Sequence, residues 1–149
     1  MSNLTFSVKG RNESPTRFVA NSRQFQLIID EPEELGGSDQ AANPVEYLLA
    51  AYAGCLNVMA HIVANEMNIQ LRSLDIEIEG DLDPSKVFGK PTVNRPGYQE
   101  IKVRLIPDTD ASAQELELWL ETLESRCPVN DNLVNPTPVS IDVEAAIAL

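Results

Sequence analysis

The sequence predicts a single domain of mixed strands and helices, and three observations carry that expectation. The first 29 residues alternate apolar and polar positions in short runs, two segments carry helix signals, and three later stretches alternate with period two. With 149 residues, 1–149 read as one domain, a size able to bury roughly two-thirds of its unfolded surface.

Taken in order, Phe6 and Val8, then Phe18 and Ala20, then Phe25, Leu27 and Ile29 suggest two or three antiparallel strands. Turn residues separate them at Gly10 to Pro15 and at Asn21 and Ser22. An acidic, Gly-containing loop from Asp30 to Gln40 follows. The first helix is marked by Asn43 as N-cap, Pro44 at the first helical position and Glu46 at the third, and is expected to run to about Met67. Leu74 to Glu79 and Glu100 to Leu105 alternate cleanly and are expected to pair as a long hairpin, with Lys102 and Arg104 able to face the acidic row. A second helix should start near Asp110 or Ser112, with Leu116, Trp119, Leu120 and Leu123 on one buried stripe, and stop at Cys127 and Pro128. Pro138 to Val143 alternates again and predicts a last strand.

Composition narrows the function classes. A hydrophobic content of 43% with 23% charged residues and ten dispersed prolines is that of a soluble globular protein. The formal net charge of -12, from 23 acidic and 11 basic residues, repels phosphate backbones and anionic lipid, so nucleic acid and membrane are poor partners. Val45 to Ala64 is long enough to span a bilayer, but it contains Glu46, Asn57 and His61 and lacks a flanking basic cluster, so a buried central helix is expected. The N-terminus lacks the pattern of a secretory signal, and a cytoplasmic location is expected.

The chemistry-bearing residues are the two cysteines, Cys55 and Cys127. Cys55 lies in an apolar helical segment and Cys127 where a helix must end, before Pro128. In a reducing compartment such thiols are more often reduced, catalytic or metal-binding than bridged, and the pair suggests redox chemistry. With one histidine, His61, and no Cys-x-x-Cys, a zinc site is disfavoured.

Residues Asn43 to Cys55, NPVEYLLAAYAGC, resemble the first-cysteine motif of the osmotically inducible protein C (OsmC) and organic hydroperoxide resistance family. Glu34 to Gly37, ELGG, and Cys127 to Val139, CPVNDNLVNPTPV, resemble two more of its signatures, in the same order and spacing, so the resemblance covers essentially the whole chain. It implies an α+β, OsmC-like fold made as an intertwined homodimer, with central cysteine-bearing helices packed against antiparallel or mixed sheets. It also implies a thiol peroxidase of oxidative stress defence: Cys55 reduces an organic hydroperoxide, Cys127 forms a disulfide with it, and a dithiol reductant of the lipoyl type restores both. No metal or nucleotide cofactor is expected, and the chain has no glycine-rich phosphate loop.

The residues set conditions on that chemistry. A peroxidatic cysteine must react as the thiolate, yet Cys55 is far from its helix N-terminus and apolar burial raises a thiol's pKa. An imported positive charge is required. In the family it comes from an arginine held by a glutamate; the candidates here are Arg17, which is favoured, Arg23 and Arg11. Glu46 lies nine residues before Cys55, whereas the organic hydroperoxide branch has its glutamate ten before, where this chain has Val45. At about 100° and about 1.5 Å per residue, Glu46 falls about 180° round and about 13 Å along the helix from Cys55. It is therefore expected either to complete a capping box or to position an arginine beside the Cys55 of another chain or a differently oriented helix. Cys127, near the negative end of a helix dipole that Arg126 partly offsets, suits the resolving role. His61 and Asn57 read as ordinary helix residues, and Tyr47, Leu48, Tyr52, Met59 and Trp119 as core or dimer contacts that could also line an alkyl pocket. A second reading is an OsmC-fold binding or stress-related protein without efficient peroxidase activity; thiol-dependent acyl transfer lacks a suitably placed base.

Overall fold

The computed structural model describes residues 2–145, which fall into two compact units, Met1–Ala53 with Glu77–Arg104 and Gly54–Ile76 with Leu105–Leu149. In the first unit, strands β1 (Lys9–Asn12), β2 (Phe18–Ser22) and β3 (Phe25–Ile29) form an antiparallel sheet in that order. β1 is not the predicted strand: Phe6 and Val8 precede it and are 84% and 58% exposed. The turn decides this. The Arg17 carbonyl accepts the amides of Glu13 and Ser14, so the residues flanking that turn are the ones that pair. Gly10 then lies so close to β2 that a Cβ there would sit 2.4 Å from the Val19 carbonyl oxygen. β2 likewise runs through Asn21 and Ser22, because the reversal into β3 occurs at Arg23 with φ of 55°.

After β3 the chain makes a 3-10 turn, Glu33–Leu35, closed by Gly36 at φ 85°. A Cβ on Gly37 would lie 1.8 Å from the Glu31 carbonyl oxygen, so the paired glycines answer two separate demands, a left-handed residue and a close approach. Asp30 organises this loop from the inside. It is fully buried, and its Oδ2 accepts from the Ser38 hydroxyl (2.6 Å), the Ser38 amide (3.2 Å) and the Gln40 amide (3.3 Å). The Ser38 hydroxyl first, then the Glu31, Gln40 and Ser38 amides, hold its carboxyl well below the usual carboxylate range against the cost of burial.

Helix α1 (Pro44–Glu66) starts as its sequence predicts. The Asn43 amide donates to Glu46 Oε2 (2.8 Å) and the Glu46 amide to Asn43 Oδ1 (2.9 Å), a complete capping box. Two tyrosines fix this end: Tyr47 donates to the Ile28 carbonyl (2.7 Å) and Tyr98 to the Val45 carbonyl (2.9 Å). Tyr98 lies over Gly80, where a Cβ would come within 2.7 Å of its ring. Burial first, and the nearby Glu46 charge second, push the Tyr98 phenol upward in pKa, which keeps it a donor.

The predicted hairpin is present and longer than the alternating runs. β4 (Leu71–Leu82) and β5 (Tyr98–Thr109) form a two-stranded sheet. Arg72 pairs with Asp108, and Arg104 with Glu77, positions that rise along one strand as they fall along the other. Lys102, expected to face the acidic row, pairs first with Glu100 of its own strand (3.2 Å). Asp83 closes the connecting loop by accepting from the Ser85 amide, the Thr92 hydroxyl and the Asn94 side chain.

In the second unit, Leu56, Ala60, Val63 and Ala64 of α1 supply a buried stripe. Helix α2 (Ala113–Arg126), capped by a Ser112–Glu115 capping box, supplies Trp119 and Leu123. Leu116 is half-buried and Leu120 is 40% exposed, so the predicted α2 stripe is only partly buried. A third helix, α3 (Pro128–Val134), was not predicted. The predicted last strand is absent: residues 136–145 have no regular secondary structure, and Val139, Ile141 and Val143 are exposed. α1 is not the buried helix expected, since Val58 is 56% and Ile62 41% exposed. By length and composition alone it is long and apolar enough to cross a membrane.

Trp119 Nε1 donates to the Ala60 carbonyl (2.9 Å) inside this core, linking α2 to α1. Trp119→Phe keeps an aromatic ring but removes the second donor to that carbonyl, leaving only its own helix amide, and opens a void beside it. Urea unfolding should show a loss of about 2 kcal/mol, and a change under about 0.5 kcal/mol would show that the bond contributes nothing.

Candidate active site

Cys127 ends α2 and begins α3: its amide donates to the Glu124 carbonyl as C-cap, and its sulfur accepts from the Asn130 amide (3.4 Å) as N-cap. Pro128 at the first position of α3 makes the change of direction possible, because its missing N–H and fixed φ suit a helix start as well as a helix stop. Cys127 continues the buried stripe of Trp119 and Leu123 by one more turn and is 1% exposed. Its Sγ shares a hydrogen bond with Cys55 Sγ at 2.7 Å. The two thiols the sequence singles out are therefore brought together, unbonded, inside one unit.

Cys55 is half-buried on α1. Burial first, then the hydrogen bond it shares with Cys127, in which Cys127 retains the Cys55 proton, push its pKa upward, while the Val129 amide at the start of α3 pulls in the opposite direction. The first turn of α3 thus directs one amide at each sulfur, Val129 at Cys55 and Asn130 at Cys127. Cys127 was expected to meet only the negative end of α2. It lies between that end and the positive end of α3. Val129 and Asn130 are the site groups that sequence reasoning missed, and the signal for them was Pro128 read as a start.

Among the described residues no cation is one of the groups that shift Cys55. Arg126, adjacent in sequence to Cys127, turns instead to Glu66, with bonds of 2.5 and 3.1 Å. His61 is exposed, and its Nδ1–H donates to the Asn57 carbonyl one turn back (2.8 Å). Among the described residues no group of three or more His, Cys, Asp or Glu is placed to hold a metal ion.

The charged candidates lie in the other unit. Arg17 is held at two points, Nε donating to Glu13 Oε2 (2.8 Å) and Nη1 to Gln40 Oε1 (2.6 Å). Its side chain is 24% exposed. Arg23 stacks on the Phe25 ring at 5.0 Å, and Arg11 lies exposed on β1. Glu46 completes the cap of α1, as one of its two expected roles requires, and among the described residues it forms no ion pair with Arg17.

The profile of the OsmC-like protein family matches residues 37–142. The fold is similar to that of an OsmC-like protein from Mycoplasma pneumoniae, at 21% identity, with 89% of each chain covered and a TM-score of 0.77. It is also similar to an organic hydroperoxide resistance protein OsmC from Legionella pneumophila (22% identity, 89% of this chain and 91% of that one, TM-score 0.63). A third similar structure is an organic hydroperoxide resistance protein from Elizabethkingia anophelis (16% identity, 88% and 89% covered, TM-score 0.65). No curated protein matches the sequence. With its family profile, its α+β architecture and its paired thiols in agreement, the chain belongs to the OsmC-like protein family.

Proposed function

We propose that the protein is a thiol-dependent reductase of organic hydroperoxides in oxidative stress defence, with Cys55 peroxidatic and Cys127 resolving. The observation that carries this reading is the pair of free thiols 2.7 Å apart. The Cys55 thiolate attacks the terminal peroxide oxygen, the O–O bond breaks, and the alkoxide takes a proton and leaves as the alcohol. Cys55 is then a sulfenic acid. The Cys127 sulfur attacks it, water leaves, and a Cys55–Cys127 disulfide forms, which a dithiol of the lipoyl type reduces to two thiols. Arg17 supplies the cation that stabilises the thiolate. The names of the Legionella and Elizabethkingia proteins agree with this activity.

The stoichiometric reaction tests it. Reduced protein mixed with one equivalent of cumene hydroperoxide should lose both thiols rapidly and yield an intramolecular bridge by mass. Cys55→Ser should abolish the reaction, whereas Cys127→Ser should complete one turnover and accumulate sulfenic or higher acids at Cys55. Inert thiols in the unmodified protein would sink the proposal and leave the second reading, an OsmC-fold binding or stress-related protein. That reading draws support from the raised pKa of Cys55 and from Glu46 serving as a cap.

Glu46→Gln separates the two roles of Glu46. Glutamine at N3 still accepts from the Asn43 amide, so helix stability should change by less than about 0.5 kcal/mol, while any electrostatic role is removed. A peroxidase rate reduced about tenfold or more would assign Glu46 to catalysis; an unchanged rate would leave it as a cap alone.

We further propose a homodimer, acting without nucleic acid or membrane and located in the cytoplasm. Its support is the apolar face of α1 at Val58 and Ile62, on the same helix as Cys55 and left exposed in one chain. Ile62→Glu should convert a dimer into monomers in sedimentation velocity. A monomeric unmodified protein at micromolar concentration would refute the dimer.

A further inference from the structure

We infer that Asp30 is a positioning residue for Arg17, acting through the loop that carries Gln40; this rests on Arg17 being the cation that serves Cys55. Asp30 is 0% exposed, and its Oδ2 gathers the Ser38 hydroxyl and the amides of Ser38 and Gln40. Its own amide donates to the Ala42 carbonyl (3.4 Å), and the Asp39 amide donates to the Glu31 carbonyl (3.0 Å), so residues 38–42 are tied back to the end of β3. The side chain of Gln40, whose amide Asp30 holds, accepts from Arg17 Nη1 at 2.6 Å. Among the described residues Arg17 has one other side-chain bond, to Glu13, which lies on the same turn and is exposed. Among the described residues Gln40 is therefore the side-chain partner that fixes the guanidinium against a distant part of the chain.

Loop stability alone is a poor reason for this carboxylate. Among the described residues Asp30 Oδ1 is buried without a hydrogen-bond partner that meets ordinary bonding geometry, although the Glu31 amide also helps to hold the carboxyl ionised. A buried charge with an unmatched oxygen is a costly way to close a loop. What the ionised group provides is a single acceptor oxygen able to take three donors, Ser38 Oγ, Ser38 N and Gln40 N, at once. That convergence sets the direction in which Gln40 points. A misplaced Gln40 leaves Arg17 tethered through Glu13 alone, free to swing.

The test uses the full chain with cumene hydroperoxide as the probe, and compares Arg17→Met, Gln40→Leu, Asp30→Asn, Ser38→Ala and the Gln40→Leu/Arg17→Met double variant. Each single variant is also followed by the pH profile of Cys55 alkylation with iodoacetamide in a Cys127→Ser background. Gln40→Leu and Asp30→Asn should each slow peroxide reduction about tenfold or more and move the alkylation midpoint upward. The double variant should be no slower than Arg17→Met alone, because the two changes act on one group, and Gln40→Glu, which still accepts from Arg17, should restore the rate. If Arg17→Met is slow while folded Asp30→Asn and Gln40→Leu react like the unmodified protein, the positioning role is overturned and the Arg17 reading stands. If Arg17→Met reacts at full rate, that reading fails and this one with it. Should Asp30→Asn not fold, Ser38→Ala, at an exposed position, decides: a several-fold loss supports the role, and an unchanged rate overturns it.

Discussion

The end of α2 and the start of α3 share one residue, and the geometry of the thiol pair depends on that economy. Cys127 completes the buried stripe of α2 after Trp119 and Leu123, so its position is fixed by core packing rather than by a loop. Pro128 then forces the chain into a new helix within one residue, and the first amides of that helix reach both sulfurs. Because Trp119 is itself bonded to the α1 backbone at Ala60, the two helices that carry the cysteines are held in register by a buried hydrogen bond. The short sulfur–sulfur approach follows from this packing, and no separate device is needed to bring the thiols together.

The same packing creates an electrostatic problem. Burial and Cys127 both oppose ionisation of Cys55, and among the described residues the Val129 amide favours it. An amide stabilises a thiolate less than a full charge does. The nearby cation, Arg126, has its bonds directed to Glu66 at the ends of the two helices, where it secures their packing. Under the peroxidase proposed above, Cys55 requires a cation that does not act on it here, which gives the arrangement of Arg17, Gln40 and Asp30 its interest.

Sequence reasoning succeeded where a signal was local and failed where pairing partners decided the outcome. The capping box read at Asn43 with Glu46 forms as a spacing of three residues requires, and the second helix starts at Ser112, one of its two expected starts. The hairpin of β4 and β5 was legible from alternation, because both strands present one half-buried face. Phe6 and Val8 alternate equally well, yet β1 formed from Lys9–Asn12, since the turn at Glu13 to Arg17 and the close approach at Gly10 set the register. The tail from Pro138 to Val143 alternates too and forms no strand in the single chain. The thiol pair was visible as two cysteines with unlike neighbours, but the amides of Val129 and Asn130 were not, because Pro128 carries the same letter whether a helix stops or starts there.

The misplaced alternations have a common physical feature. Leu4, Phe6 and Val8 at one end, and Val139, Ile141 and Val143 at the other, are apolar side chains at every second position, and all are between 58% and 93% exposed. Each such side chain buried would contribute roughly 1.5–3 kcal/mol, so a chain that leaves six of them in water forgoes stabilisation comparable to the whole stability of a small domain. Period-two patterning is informative only when a sheet edge is available to receive it. Under the homodimer proposed above, a second chain supplies both the edges for these segments and the cover for Val58 and Ile62 of α1. One association would then satisfy the three largest departures of the structure from its sequence pattern.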